Sequence, residues 1–426
     1  MSVFDASNKN TPGGGNRVAI VGAGQSGLQV GIGLLQQGFE VTMVTNRTAE
    51  EVEKGKVLSS QCMFHNALQN ERDLGIDFWD DTCPPVEGIG LIIPNPEQPG
   101  EKMIGWAGQL EQKALSVDQR VKMPKWMQHF ESLGGELIIH DVDIDYLEKL
   151  STEYDLTIVA AGKGEIVKMF ERDAEKSMYD KPMRALALTY VNGMVPYEPF
   201  SRVSFNLIPG IGEYFVFPAL TTTGPCEIMV FEGVPGGPMD CWNNIDSPEA
   251  HLEKSLEILN TYLPWEAERC KNVSLTDDNG VLAGRFAPTV RKPVATLPSG
   301  NKILGIADVV LLNDPITGQG SNNASKCSKI YLDEIIKNKG NKYDENWMQA
   351  TFDKYYDYAK DVALWTNTLL GPPPEHILNL LGAAGQIQSL ADMFANNFNE
   401  PKNFFPWWLD PKLTEELINQ HAGAQV

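Results

Sequence analysis

The sequence predicts an α/β protein: a Rossmann-like nucleotide-binding domain, an inserted and mainly antiparallel β substrate domain, and a helical C-terminal region. Three observations carry this reading. "RVAIVGAGQSGL", from residue 17, reads as strand, glycine turn and helix. Residues 183 to 233 hold four apolar runs parted by Gly and Pro, the spacing of an antiparallel sheet. From Tyr343 onward the pattern is helical, broken by "GPPPE" and ending near "FFPWWLDP".

The first unit is a βαβ. A strand over Arg17–Val21 enters a turn, and "SGLQVGIGLLQQG" forms a helix with Leu28, Ile32 and Leu35 on one face, closed by Gly38. "FEVTMVT" is the second strand. Gly22, Gly24 and Gly27 have the spacing of a dinucleotide turn. Gly22 permits the tight turn, Gly24 lets the backbone approach a pyrophosphate, and Gly27 lets helix and strand pack. Gln25 and Ser26 open the helix, whose N-terminus faces the phosphates. The acid that usually follows the second strand and binds the ribose is absent. Thr45, Asn46 and Arg47 stand there instead, with hydroxyl, amide and guanidinium groups that can hydrogen-bond the nucleotide.

The middle is mixed. "SVDQRVKMPKWMQHFESLGG" reads as a helix with Pro124 near its start and Gly134 at its end. "ELIIHDVDID" and "EKLSTEYDLTIVAAGKG" read as strands. "RALALTYVNG", "SRVSFNLIPG", "EYFVFPAL" and "CEIMVFEG" are the four sheet strands, and "HLEKSLEILNTYLP" is a helix. "NKILGIADVVLL" returns to a buried strand. The resulting partition is a flexible tail over 1–16; the nucleotide domain over 17–50, 116–180 and 280–340; the substrate domain over 51–115 and 181–279; and the helical region over 341–426.

Composition narrows the classes. A chain of 426 residues, 42% hydrophobic, suffices for more than one core. A net charge of −21 repels phosphate backbones and argues against nucleic acid. No apolar run approaches a membrane span, and the N-terminus lacks a signal core. Six scattered cysteines without a CxxC give no metal site and fit a reducing cytoplasm. The residues leave a homodimer open.

A second glycine-rich turn, "DPITGQGSNNAS" over 314–325, precedes another helix. A cofactor as long as FAD needs contacts at both ends. The first turn takes the pyrophosphate; the second can cradle the flavin ring. Gly318 and Gly320 let backbone amides reach a ring carbonyl, and the helix from about Ser321 aims its positive end there, favouring reduced anionic flavin. Asp308, at a strand end, is placed to bond a ribitol hydroxyl.

These stretches, with "VDQR", "YDLTIVAAGK", "KPMRAL", "LWTNTLL" and "FANNFNEP", resemble the FAD-dependent monooxygenases of the para-hydroxybenzoate hydroxylase fold, and within them the styrene/indole monooxygenase branch. "SSQCMFHNALQNERDLG" looks closest to the indole-oxidising members. The resemblance implies that Arg120 lies by the nucleotide end of the flavin and that Asp308 holds the ribitol. It also implies that Pro315, Gly318, Gln319, Gly320, Ser321, Asn322 and Asn323 form the loop at the ring. It places Gln61 and Met63 near substrate. His65 as polar lining and Phe205 and Phe217 as pocket walls complete the candidate pocket, to which Pro315 also belongs.

The implied chemistry takes reduced FAD from a separate NADH-dependent flavin reductase, forms a C4a-hydroperoxide with O2, and epoxidises indole at its 2,3 bond or a styrene-type vinyl group. It needs a dry pocket and no acid/base residue. Two departures bear on this. The wider fold usually has Gly-Asp at Ala307-Asp308 and Asp-Gly at Ala161-Gly162; loss of the second Asp argues against direct use of NAD(P)H. A second nucleotide fingerprint is also missing, since "GIGEYF" at 210–215 ends in Phe. The alternatives are a self-sufficient NAD(P)H-dependent aromatic hydroxylase, a flavin-dependent halogenase, whose WxWxIP stretch is absent, and a non-catalytic flavin-binding partner protein.

Overall fold

Five parallel strands lie in the order Lys302–Gly305, Leu156–Val159, Arg17–Val21, Glu40–Thr45 and Glu136–Ile139, with Val294–Thr296 antiparallel at one edge. This computed structural model describes residues 16–161 and 164–423; most of the expected tail and Gly162 lie outside them. Val18, Ala19, Ile20 and Ile158 are fully buried, as in a parallel sheet covered on both faces. The readings over 136–164 need correction. "ELIIHDVDID" is a strand only to Ile139. Asp143 then accepts from the Tyr146 N–H at 2.8 Å and starts a helix, Ile144–Glu153, leaving Leu156–Val159 as the next strand. "NKILGIADVVLL" likewise breaks after Gly305 into a short 3-10 turn, Ala307–Val309.

The second sheet is larger. Its order is Ser274–Leu275, Ala185–Asn192, Gly224–Gly233, Gly212–Thr221, Arg202–Ile208, Pro85–Pro94 and Lys102–Leu115. Neighbours are antiparallel except Pro85–Pro94 against Arg202–Ile208, which run parallel. Val281–Gly284 also pairs with Ala185–Asn192, so the chain leaves this sheet after residue 284 rather than at 280. Alternation sorts the side chains. Phe215, Phe217, Ile228 and Val230 face the C-terminal helices, while Tyr214, Val216, Met229 and Phe231 face the helix Pro248–Tyr262. The strand Lys102–Leu115 was not foreseen.

The helical region ties the two sheets together. Helix Glu345–Leu369 buries Phe352, Tyr355 and Ala359 against the nucleotide core and Trp365 against the second sheet. Trp365 stacks on Phe404 at 4.3 Å and meets Phe398 edge-on at 5.0 Å. Phe404, Trp407 and Trp408 are buried in that same cluster, so "FFPWWLDP" packs on its own domain. Helix Gln388–Asn396 lies along the outer strand. Its Asp392 accepts from the Gln109 N–H at 2.8 Å, and Asn396 accepts from the Glu111 N–H at 2.9 Å. No helix among the described residues is long and apolar enough to cross a membrane.

Candidate active site

The two glycine turns are neighbours. Gly22 has φ +114° and donates to the Val44 carbonyl at 2.8 Å, closing the first turn onto the second strand. A Cβ on Gly27 would stand 2.1 Å from the Gly22 carbonyl, so only glycine lets the helix pack there. Helices Gln25–Gln36 and Gly320–Lys337 lie against each other. Gln25 Nε2 donates to the Ser321 carbonyl at 2.9 Å and Gln29 Nε2 to the Ser325 carbonyl at 3.2 Å. The pairs advance in the same direction, so both N-termini sit side by side. Neither has a side-chain cap or an acid in its first turn. Two sets of unsatisfied N–H groups therefore share one edge, with their dipoles aligned.

Asp314 accepts from the Ile316 N–H at 3.1 Å and starts the 3-10 turn Pro315–Thr317; Gly318 then turns left-handed at φ +64°. Gln319 is fully buried. It donates to the Phe398 carbonyl at 3.0 Å, but its Oε1 has no donor among the described residues. Asn323 is buried, and neither of its side-chain polar atoms has a partner among the described residues. Such orphans cost about 1–3 kcal/mol each and point to a polar ligand. A flavin nucleotide, with carbonyls, ring nitrogens and phosphates, fits these donors and acceptors. A Cβ on Gly24, Gly318 or Gly320 would meet nothing within 4 Å, so open space lies where such a group would pass.

The parallel sheet brings the remaining nucleotide-side residues to its C-terminal edge. Thr45, Asn46 and Arg47 end the second strand just past Val44, with Asn46 exposed. Asp308 is exposed in the turn after Lys302–Gly305. Ala307 holds φ +52°, alone among the described non-glycine residues in a left-handed conformation, which explains why glycine is usual there. Arg120 is placed differently from the expectation of a flavin contact. It is buried, with Nε on Asp118 at 2.9 Å, Nη1 and Nη2 on Asp277 at 2.8 and 3.0 Å, and Nη2 on Thr221 at 3.1 Å.

Substrate-side residues divide. Asn322 ties "QCMFH" to the second glycine turn: Oδ1 accepts from the Phe64 N–H at 2.8 Å, and Nδ2 donates to the Cys62 and Gly318 carbonyls at 2.8 and 3.1 Å. Gln61 is buried; its Oε1 accepts from Ser59 at 3.0 Å and its Nε2 donates to Tyr190 Oη at 3.3 Å. Phe205 and Phe217 share one cluster with Phe64 and Phe398, and Phe205 lies 5.5 Å from Phe398. Met63 does not join them. It packs with Leu115, Val117 and Cys83, and Lys122 Nζ sits 3.4 Å from its sulfur. His65 opens a helix, half-exposed, 3.5 Å from Arg72. Pro315 is half-buried at the second turn. Phe64, Phe398 and Trp365, which share this cluster, were not among the expected pocket residues, although "LWTNTLL" and "FANNFNEP" carry two of them.

Comparison with known proteins places this geometry. A family model described as "Styrene monooxygenase A putative substrate binding domain" matches residues 162–269. The styrene monooxygenase StyA of Pseudomonas fluorescens is 31% identical over 418 residues, 95% of this chain and 98% of that protein. A second StyA, from a Pseudomonas species, shows the same identity and coverage. Among solved structures, a flavin-dependent brominase superposes with TM-score 0.68 at 14% identity, covering 96% of this chain and 99% of the other. A flavoprotein/dehydrogenase of Cytophaga hutchinsonii gives 0.68 at 12%, with the same coverage. These two likenesses show the fold alone. The relatives show more: the chain belongs to the styrene monooxygenase family, and it is a FAD-dependent oxidoreductase.

Proposed function

We propose that this chain epoxidises aryl alkenes, with indole oxidised at its 2,3 bond as preferred substrate and styrene as a working substitute. The carrying observation is the pair of glycines, Gly24 and Gly320, that neither backbone nor neighbour demands. Gly24 has φ −87°, which any residue adopts, and a Cβ at either position meets nothing. Their smallness serves something outside the chain. Gly22, Gly24, Gln25, Ser26 and Gly27 would hold the pyrophosphate, with Thr45, Asn46 and Arg47 toward the adenosine. Asp308 would take the ribitol, and Pro315 with Gly318 to Asn323 would flank the ring. When bound, reduced FAD supplies the two electrons that divide O2 between the alkene and water.

The chain's own residues bind, orient and keep water out. Phe64, Phe205, Phe398 and Trp365 make an aromatic wall that suits a flat arene. Gln61 Oε1 accepts one hydrogen bond, so its second lone pair is free for the indole N–H. Electrons come from a separate NADH-dependent flavin reductase, because the chain lacks a second nucleotide fingerprint and carries Ala161 where an acid is usual. NADH alone should leave bound FAD oxidised in anaerobic stopped-flow; rapid bleaching would favour the self-sufficient hydroxylase. The site itself is tested with Gly24→Ala and Gly320→Ala. Both should keep the stability of the parent within about 0.5 kcal/mol and lose FAD affinity by calorimetry. Unchanged affinity in both would sink the placement.

A further inference from the structure

Strand Gly224–Gly233 carries, close to its end, a carboxyl without an ordinary partner. Glu232 is 0% exposed, and neither oxygen has a hydrogen-bond donor among the described residues. Across the antiparallel register stands Glu213. The cation at this spot is Arg184, and it is already committed: Nε and Nη2 hold Glu213 at 2.6 and 2.8 Å, and Nη1 donates to the Met183 and Leu370 carbonyls. Against Glu232 lies the carboxyl of Asp314, 1% exposed, which also caps the Ile316 N–H. Three buried carboxyls therefore face one guanidinium. A dry site does not hold two touching carboxylates both ionised; one proton stays between them.

We propose that Glu232 is a neutral carboxylic acid whose O–H donates a hydrogen bond to the Asp314 carboxylate, and that this hydrogen bond positions the Pro315–Gln319 turn. Glu232 is thus a positioning residue, tying the substrate sheet to the turn through Asp314. The inference rests on the reading that this turn lies against the flavin. Burial first, then the charges of Asp314 and Glu213, push Glu232 well above the usual carboxyl range. Burial raises Asp314 as well, while the bond from Glu232 pulls it down. The charged groups facing the pair are Arg184, just ahead of strand Ala185–Asn192, and Glu213, on strand Gly212–Thr221. With the folded pKa of Glu232 raised, the contribution is complete in acid and falls as pH climbs toward that pKa. Past it, two carboxylates confront each other and Asp314 is driven off the Ile316 N–H.

The test uses the full chain and has two arms. Infrared spectra at neutral pH should show the carbonyl band of an un-ionised carboxylic acid that shifts in D2O and is missing from Glu232→Gln. Absence of that band in the parent protein overturns the proposal. In the second arm, oxidised FAD is titrated into the parent protein from neutral to alkaline pH. Its affinity should fall by up to about tenfold per pH unit once Glu232 ionises. In Glu232→Gln, whose amide donates at every pH, the fall should vanish. A flat parent profile, or an equal fall in Glu232→Gln, overturns the positioning role. FAD binding that is missing at every pH tells against the flavin site instead, and the infrared arm still decides the shared proton. Should Glu232→Gln fail to fold, the parent profile and the D2O shift carry the decision.

Discussion

Asn322→Ala removes one side chain that joins two parts of the site. Asn322 is 1% exposed and makes three hydrogen bonds to backbone: from the Phe64 N–H, and to the Cys62 and Gly318 carbonyls. Truncation leaves all three groups without their partner in a dry interior. Each orphan costs about 1–3 kcal/mol, and some relax onto water, so a net loss of about 2–4 kcal/mol is expected. Urea unfolding should show the midpoint falling with an unchanged slope. Asn322→Asp keeps an acceptor for the Phe64 N–H but buries a carboxylate against the Cys62 and Gly318 carbonyl oxygens, so it should lose at least as much stability as Ala. The same change unties Cys62 and Phe64 from Gly318. With chemically reduced FAD and air, the yield of epoxide relative to hydrogen peroxide should drop by about tenfold, the scale on which small misplacements act. A stability loss under about 1 kcal/mol, or an unchanged product ratio, would refute the reasoning.

Other outcomes follow from single residues. Ala307 at φ +52° carries left-handed strain of about 1–2 kcal/mol, so Ala307→Gly should raise the melting midpoint slightly and Ala307→Val should lower it clearly. Gln61→Leu should narrow or reverse a preference for indole over styrene, read as indigo against styrene oxide from an equal mixture; an unchanged ratio removes Gln61 from the pocket. Lys326 is pulled down to about 8 by burial, although Glu400 opposes the shift. Its charged form is therefore a burden on the fold below that value. Stability should climb between pH 8 and the ordinary lysine range near ~10.4, and Lys326→Met should flatten that stretch of the urea-midpoint curve.

The legible parts of the fold were local ones. Strand, glycine turn and helix over residues 17–36 lie within one stretch, and their signals are steric. The runs "EYFVFPAL" and "CEIMVFEG" were readable because both faces of that sheet are covered. "KMIGWAGQLEQKAL" was not, because an outer strand with Lys, Gln and Glu along it shows little contrast between its faces. Asp143 could have been read as a helix cap, but the apolar "ELII" before it suggested a longer strand. In the site, the glycines announced themselves. Arg120 did not, since its partner Asp277 lies far along the chain. The Glu232–Asp314 pair is also far apart in sequence. Ala307 conceals its backbone, because alanine is not the residue that a left-handed position calls for.

The helix along the outer strand has a consequence for the soluble lifetime of the chain. A strand with free outward amides and carbonyls is a template for a strand from another molecule. Here Asp392 and Asn396 occupy the Gln109 and Glu111 amides, while Asn396 Nδ2 and Gln388 Nε2 occupy the Gln109 and Ala107 carbonyls. Helix Gln388–Asn396 thus acts as a guard against intermolecular sheet growth. A chain cut before Gln388 would expose both this row and the aromatic face beneath it. Its fate is set by aggregation rather than by loss of catalysis, and light scattering with thioflavin fluorescence should register it before any assay of oxygen transfer.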